Sequence, residues 1–235
     1  MGRFGVILPA AGQSRRFGSD GPGKVERTLA GRAVWSHAAS AFAGRADVVV
    51  ILLAVSADDR ERFERDHADD LAAMGVRVVE GGAERHDTVA RALAALDRSC
   101  DHVAVHDAAR PCIDRATIDA VFAAAIEHGA ALPGLSVTDT LKRVDEAGWA
   151  EATVPRAGLV AVQTPQAFRR DLLERAHAER HRLEAAITDD AQLVEAIGHR
   201  VRVVPGSPWN LKITTRDDLN RAELYFRMTR PEGWA

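Results

Sequence analysis

The first charged loop of the chain is equipped for phosphate chemistry. An apolar run from Phe4 to Leu8 meets Pro9, which cannot donate a ladder hydrogen bond, so a strand must stop there and a loop begin. Ala10, Ala11 and Gly12 leave almost no side-chain bulk, and a ligand can lie directly against their backbone N–H groups. Arg15, Arg16 and Lys24 bring positive charge, while Gly18, Gly21 and Gly23 let the chain bend around an anion. Such a set holds polyphosphate; read without its surroundings it is equally an ordinary solvated connection between strand and helix. Two named phosphate motifs do not fit. Gly18 to Lys24 has the G-x-x-x-x-G-K spacing, but Val25 stands where a Mg²⁺-holding hydroxyl is needed, and the strand ends well before Gly18. The fingerprint G-x-G-x-x-G is absent, because Gln13 and Ser14 follow Gly12.

Other reactive types cluster further on. In EGGAERHDTV (Glu80 to Val89), Gly81 and Gly82 permit close backbone approach, and Arg85 and Thr88 open a helix whose N-terminus favours an anion or a polar ring edge. Asp107, in HDAARPC, stands directly at a strand end, where its carboxylate can meet a cation or simply cap a turn. A loop from Pro205 to Pro208 leads to Asn210, Leu211 and Lys212. The two cysteines, Cys100 and Cys112, fit neither a CxxC pair nor a zinc site and read as buried apolar residues. His177 and His181 lie four apart, but the segment reads HAERH and not HExxH, so the glutamate is misplaced, which leaves a solvated helix face.

The elements that must position these groups alternate. Strands are predicted at Phe4 to Leu8, Val48 to Val55, Val76 to Val79, His102 to His106, Ala131 to Val137 and Val201 to Val204. Helices are predicted at Ala33 to Ala43, Asp58 to Met74, Thr88 to Leu96 and Thr117 to His128, with Asp58 and Asp114 as N-caps and Gly75 and Gly129 as stops. Asp189 with Gln192, and Thr215 with Asp218, open two later helices as capping boxes, the first ended by Gly198. This alternation predicts a mostly parallel sheet flanked by helices, with ligands beyond the carboxyl ends of the strands. The segment Val137 to Gln166 departs from the pattern: Thr138 to Val144, a turn Asp145 to Gly148, and Trp149 to Val154 read as a protruding β-hairpin arm. A two-stranded arm is barely stable alone, so a second copy of the chain is its simplest partner, the alternative being an insertion folded back on its own domain.

Bulk properties narrow the function. With 235 residues, one α/β domain over 1–230 that includes an arm at about 137–158 is expected, followed by a flexible tail at 231–235. A net charge of −3 argues against a nucleic-acid binder, which usually carries a positive stripe. No apolar run approaches the roughly 20 residues that span a bilayer, and no signal-peptide pattern opens the chain; a cytoplasmic protein without a membrane partner is expected.

Seven stretches in sequence order carry a resemblance: PAAGQSRRFG (Pro9 to Gly18), GGAERHDTV (Gly81 to Val89), HDAARP (His106 to Pro111), DTLKR (Asp139 to Arg143), TPQ (Thr164 to Gln166), TDD (Thr188 to Asp190) and LKIT (Leu211 to Thr214). With these the chain resembles the 2-C-methyl-D-erythritol 4-phosphate cytidylyltransferases of isoprenoid precursor synthesis. The resemblance implies a Rossmann-like nucleotidyltransferase fold, a homodimer joined through the arm, and Mg²⁺-dependent transfer of CMP from CTP. It implies catalytic roles for Arg16 and Lys24 on the triphosphate and the pentavalent centre, and for Lys212 from the far side, where it also contacts the methylerythritol phosphate. Ala10, Ala11, Gly12, Gly82 and Thr88 would hold cytosine and ribose, and Asp107 would position Mg²⁺ and the methylerythritol phosphate. Thr188 would contact that substrate from its own subunit, with Thr140 and Arg156 supplied by the partner's arm. The chain departs from the family pattern in three places: the lysine run reads Pro22, Gly23, Lys24, Val25, one residue longer and without glutamine, Ala83 replaces an acid, and Ser14 replaces a glycine. A ribitol 5-phosphate cytidylyltransferase and a catalytically silent nucleotide-binding relative are the competing readings.

Overall fold

Strand β1 (Phe4–Pro9) lies at the centre of the sheet with five of its six residues buried, as an apolar run covered on both faces requires. The computed structural model describes residues 2–12, 23–183 and 186–229. After β1 come β2 (Thr28–Leu29), β3 (Arg32–Ala33), α1 (Val34–Ser40), β4 (Val48–Val55), α2 (Arg60–Asp66), α3 (Ala68–Met74), β5 (Val76–Glu80) and α4 (Arg85–Ala94). The second half holds β6 (His102–Val105), α5 (Arg115–His128), β7 (Ala130–Ser136), β8 (Leu141–Val144), β9 (Ala150–Val154), β10 (Val160–Val162), β11 (Gln166–Arg169), α6 (Arg170–Ala178), α7 (Asp190–Ala196), β12 (Arg202–Pro205) and α8 (Arg216–Thr229).

The main sheet has 8 strands in the order β10-β7-β11-β6-β1-β4-β5, with β12 paired to β7. β1 runs parallel to β4 and β6, β4 to β5, and β12 to β7, while β10 and β11 run against their neighbours. The expected mostly parallel α/β sheet is therefore present. Side chains alternate across it: Phe4, Val6 and Leu8 join a core with Trp35 of α1 and Ile118, Val121 and Phe122 of α5. Ile7 points the other way, to Val89 and Leu93 of α4, Leu172 and Leu173 of α6, and Leu193 and Val194 of α7. Among the described helices none is long and apolar enough to cross a membrane.

Local signals held in several places. Asp114 caps α5 by accepting from the Thr117 N–H at 2.7 Å, and Gly75 (φ 64°) and Gly129 (φ 85°) end their helices in the left-handed region that a Cβ disfavours. Asp218 and Thr215 bond reciprocally at the start of α8. Other expectations need correction. The helix from Asp58 to Met74 is two helices broken at His67, and the N-cap position is Asp59, whose side chain makes no capping bond. At α7, Asp189 caps the Gln192 N–H at 2.9 Å, but Gln192 reaches back to the Thr188 N–H instead of completing the box. α4 begins at Arg85, three residues before the predicted start. The hairpin arm is present as the separate sheet β8-β9, with its turn held by Asp145 and with Val144 and Trp149 exposed. β10 and β11 were not anticipated, and β11 is a fully integrated strand between β6 and β7. Cys100 and Cys112 are buried, as expected.

Candidate active site

The carboxyl ends of β1, β5 and β6 open on one edge of the sheet, where the strand order turns outward in both directions from β1. Because β11 runs antiparallel to β6, its N-terminal end, with Thr164 just before it, reaches the same edge. Two cavities lie there. The first, about 200 Å³, is lined by Ala10, Ala11 and Gly12 after β1, by Lys24, and by the 82–88 turn including Gly82 and Thr88. The second, about 260 Å³, is lined by Arg110, Gln163, Thr164, Gln166, Thr188 and Asp189. Arg85, Asp107 and Lys212 line both, and so mark the junction.

Backbone packing shapes the first cavity. A Cβ on Gly82 would stand 2.5 Å from Asp87 Cβ and 3.0 Å from the Thr88 nitrogen, so only glycine lets the turn fold back on α4. Thr88 Oγ1 accepts the Gly82 N–H at 3.0 Å and lies 3.0 Å from the Glu84 carbonyl, to which it donates. Its hydroxyl is thus spent on holding the turn, and its part in the cavity is to shape the wall. Lys24 lines this cavity despite the extra glycine before it.

Asp107 organises the junction. Its Oδ2 lies 3.0 Å from Lys212 Nζ and 3.3 Å from Arg110 Nε, and its Oδ1 lies 3.7 Å from Arg85 Nε. Burial pushes its carboxyl upward, but Lys212, Arg85 and Arg110 outweigh that and hold it well below the usual carboxylate range. His106 beside it is buried and pushed down to about 4, chiefly by desolvation, so it is neutral near pH 7. Its Nε2 lies 3.1 Å from the Arg110 carbonyl and must donate there, which leaves Nδ1 to accept from the Thr164 hydroxyl at 3.1 Å. Thr164 Oγ1 in turn accepts the Asp107 N–H at 3.1 Å. HDAARP and TPQ are therefore one hydrogen-bonded unit joining β6 to β11.

The expected site residues separate into three groups. Ala10, Ala11, Gly12, Lys24, Gly82, Thr88, Asp107, Thr188 and Lys212 come together at the two cavities. Thr140 and Arg156 are exposed and line neither; Arg156 donates to the Thr138 carbonyl within its own segment. Arg16 lies outside the described residues, as do the rest of 13–22 and the tail. The metal role of Asp107 does not fit this arrangement, because both carboxylate oxygens already face cations. Among the described residues no three His, Cys, Asp or Glu are grouped to hold a metal. Arg85, Arg110, Gln163, Thr164 and Asp189 were not assigned to the site from sequence, although all but Gln163 stand within the motifs that carry the resemblance. His177 corrects another expectation: it is buried, with Nε2 3.2 Å from Asp190 Oδ1, whereas His181 is exposed.

Comparison with known proteins bears on this geometry. The sequence profile of the family described as 2-C-methyl-D-erythritol 4-phosphate cytidylyltransferase matches residues 4–228. The chain is 41% identical over 239 residues to a protein of that name from Rhodopirellula baltica, covering 97% of this chain and 96% of that one. It is 43% identical over 228 residues to a bifunctional enzyme IspD/IspF from Rhodospirillum rubrum, of whose length it spans 58%. Among solved structures, a 2-C-methyl-D-erythritol 4-phosphate cytidylyltransferase from Thermus thermophilus is similar with a TM-score of 0.76 and 34% identity, covering 97% of this chain and 100% of that one.

Proposed function

This chain belongs to the 2-C-methyl-D-erythritol 4-phosphate cytidylyltransferase family, and we propose that its two cavities divide that family's reaction, CTP in the first and the polyol phosphate in the second. The enzyme transfers CMP from CTP to 2-C-methyl-D-erythritol 4-phosphate, releasing pyrophosphate and forming 4-diphosphocytidyl-2-C-methyl-D-erythritol, a step of isoprenoid precursor synthesis. One observation carries the assignment of the cavities: Arg85, Asp107 and Lys212 line both, so a group bound in one meets a group bound in the other across a cationic junction.

In this reading the backbone of Ala10, Ala11 and Gly12 and the turn at Gly82 receive cytosine and ribose, with the triphosphate directed toward Lys24. A phosphate oxygen of methylerythritol phosphate forms a bond to the α-phosphorus while the bond to the β-phosphate oxygen breaks in line. No covalent enzyme intermediate is needed, so the protein's work is positioning and charge stabilisation. Lys24, Arg85, Arg110 and Lys212 supply positive charge along the two cavities, and Arg16 keeps the triphosphate role that the resemblance gives it. Asp107 orients Lys212 and Arg110 toward the incoming phosphate. Because the carboxylate of Asp107 is taken up by Lys212, Arg110 and Arg85, oxygen ligands for Mg²⁺ would come from the triphosphate and water, where the ion would offset phosphate charge.

The arm belongs to the same proposal. Its isolated two-stranded sheet and exposed Val144 and Trp149 support a homodimer, in which Thr140 and Arg156 enter the partner's second cavity. A cytoplasmic location completes the reading. The test is pyrophosphate release from purified enzyme, which should require CTP and methylerythritol phosphate together. Tight CTP binding with no release in the presence of both would refute catalysis.

A further inference from the structure

Asp190 lines neither cavity, yet it grips the guanidinium that both share. Its side chain is wholly buried, and its Oδ2 accepts from Arg85 Nη1 at 2.7 Å, a contact spanning 105 residues of sequence. The other oxygen, Oδ1, accepts from His177 Nε2 at 3.2 Å. The backbone is fixed as well. The N–H groups of Asp190 and Ala191 both donate to Gln166 Oε1, at 3.1 and 3.0 Å, and Gln166 Nε2 donates to Asp189 Oδ2 at 2.8 Å. Every polar atom of Asp190 that faces the network is therefore held from α6, from β11 or from α4.

A guanidinium is a planar fork, so fixing one nitrogen fixes where the others aim. With Nη1 tied to Asp190, the Nε edge of Arg85 faces Asp107 Oδ1 at 3.7 Å, and Asp107 in turn faces Lys212 and Arg110 through Oδ2. Burial lowers the Arg85 proton affinity, but Asp190 and Asp107 more than restore it, which keeps the charge in place between the cavities. A buried carboxylate with a single cationic partner is costly; one with a guanidinium, an imidazole and a glutamine-locked backbone is satisfied.

We propose that Asp190 is a positioning residue for the transfer: through Arg85 it sets Asp107, and with it the cationic junction at which the two substrates meet. The inference rests on the two-cavity reading. Without the Asp190 charge, the guanidinium is released from α7 and drawn onto Asp107, where it competes with Lys212 for the same carboxylate. The expected consequence is a loss in turnover with little change in CTP affinity, because the Ala10 to Gly12 wall is untouched.

The experiment is a double-mutant cycle on the full chain with Asp190→Asn, Arg85→Ala and the pair. Turnover is measured per CTP-binding site counted by calorimetry, a readout that loss of folded protein does not move. Asp190→Asn keeps the volume of the buried side chain; His177→Gln, which preserves a donor to Asp190, is the control for packing. We expect Asp190→Asn to lower kcat per site at least tenfold with KM for CTP within about twofold, and the pair to be no worse than about threefold below Arg85→Ala. Unchanged turnover per site in Asp190→Asn, or losses that multiply in the pair, overturns the inference alone. An unmodified enzyme that releases no pyrophosphate from both substrates overturns the functional reading and this inference with it.

Discussion

Lys212 Nζ stands 3.0 Å from Asp107 Oδ2, at the place where the two cavities join. Asp107 arrives from the end of β6 and Lys212 from the loop after β12, so the pair exists only in the folded sheet. The lysine is partly exposed, and its charge is available to an anion while the buried carboxylate holds its direction. Lys212→Ala should therefore lower kcat on the order of 10² to 10³, as for other preorganised donors, and leave the Kd for CTP nearly unchanged. Steady-state kinetics with calorimetric CTP binding checks it; a loss confined to CTP binding would place Lys212 on the wrong substrate.

The turn at Gly82 should be intolerant of any side chain. Alanine there meets Asp87 and the Thr88 backbone inside normal contact distance, so the turn must open and widen the nucleotide cavity. Gly82→Ala should raise the Kd for CTP at least tenfold. Thr88→Val, which keeps the volume but removes the hydroxyl holding the Gly82 N–H, should cost about 1 kcal/mol of stability and a smaller loss of CTP affinity. Equal CTP binding by all three proteins would contradict the cavity assignment.

His106 gives the fold a pH dependence with a defined sign. Its folded value of about 4 lies below the ordinary 6.5, chiefly because the ring is buried. Below pH 6.5 the unfolded chain takes up a proton that the folded one refuses, so stability falls between pH 6.5 and 4, by on the order of 3 kcal/mol for this group. Asp107 contributes in a lower window: its depressed carboxyl stabilises the fold above about pH 3.8 and loses that contribution only as pH falls further. Urea midpoints at pH 7 and 4.5 should differ clearly in the unmodified protein and less in His106→Gln. Parallel pH profiles for the two would show that the His106 ring titrates normally.

What the sequence disclosed follows from the range of the interactions. The β1 apolar run and the Gly75 and Gly129 stops were legible because burial on both faces and left-handed φ leave local marks. β11 was not, since four residues beginning with Gln and ending with Arg show no strand pattern. Gln166 is at home there because both its amide oxygen and its amide nitrogen bond the start of α7. His177 looked like a solvated residue for the same reason: the partner that justifies its burial, Asp190, sits on another helix. Within the site, GGAERHDTV and HDAARP announced Gly82 and Asp107, whereas the bridge from Arg85 to Asp190 joins residues that only the sheet topology brings together.

The arm makes a prediction about assembly. If Arg156 serves the partner's second cavity, Arg156→Ala and Lys212→Ala subunits mixed in equal amounts should form heterodimers with one intact site each, restoring about a quarter of normal activity by random pairing. Each variant alone should be nearly inactive, and light scattering should give a dimer at micromolar concentration. A monomer, or a mixture as inactive as its components, would remove the arm from the active site.

Whether this chain moves CMP onto methylerythritol phosphate is decided by comparing two acceptors. Purified enzyme with CTP and Mg²⁺ is offered 2-C-methyl-D-erythritol 4-phosphate and ribitol 5-phosphate separately, and kcat/KM is obtained from pyrophosphate release with the nucleotide products identified by phosphorus NMR. A kcat/KM for methylerythritol phosphate at least about a hundredfold higher, with 4-diphosphocytidyl-2-C-methyl-D-erythritol as product, is predicted. Equal or faster turnover of ribitol 5-phosphate would contradict it.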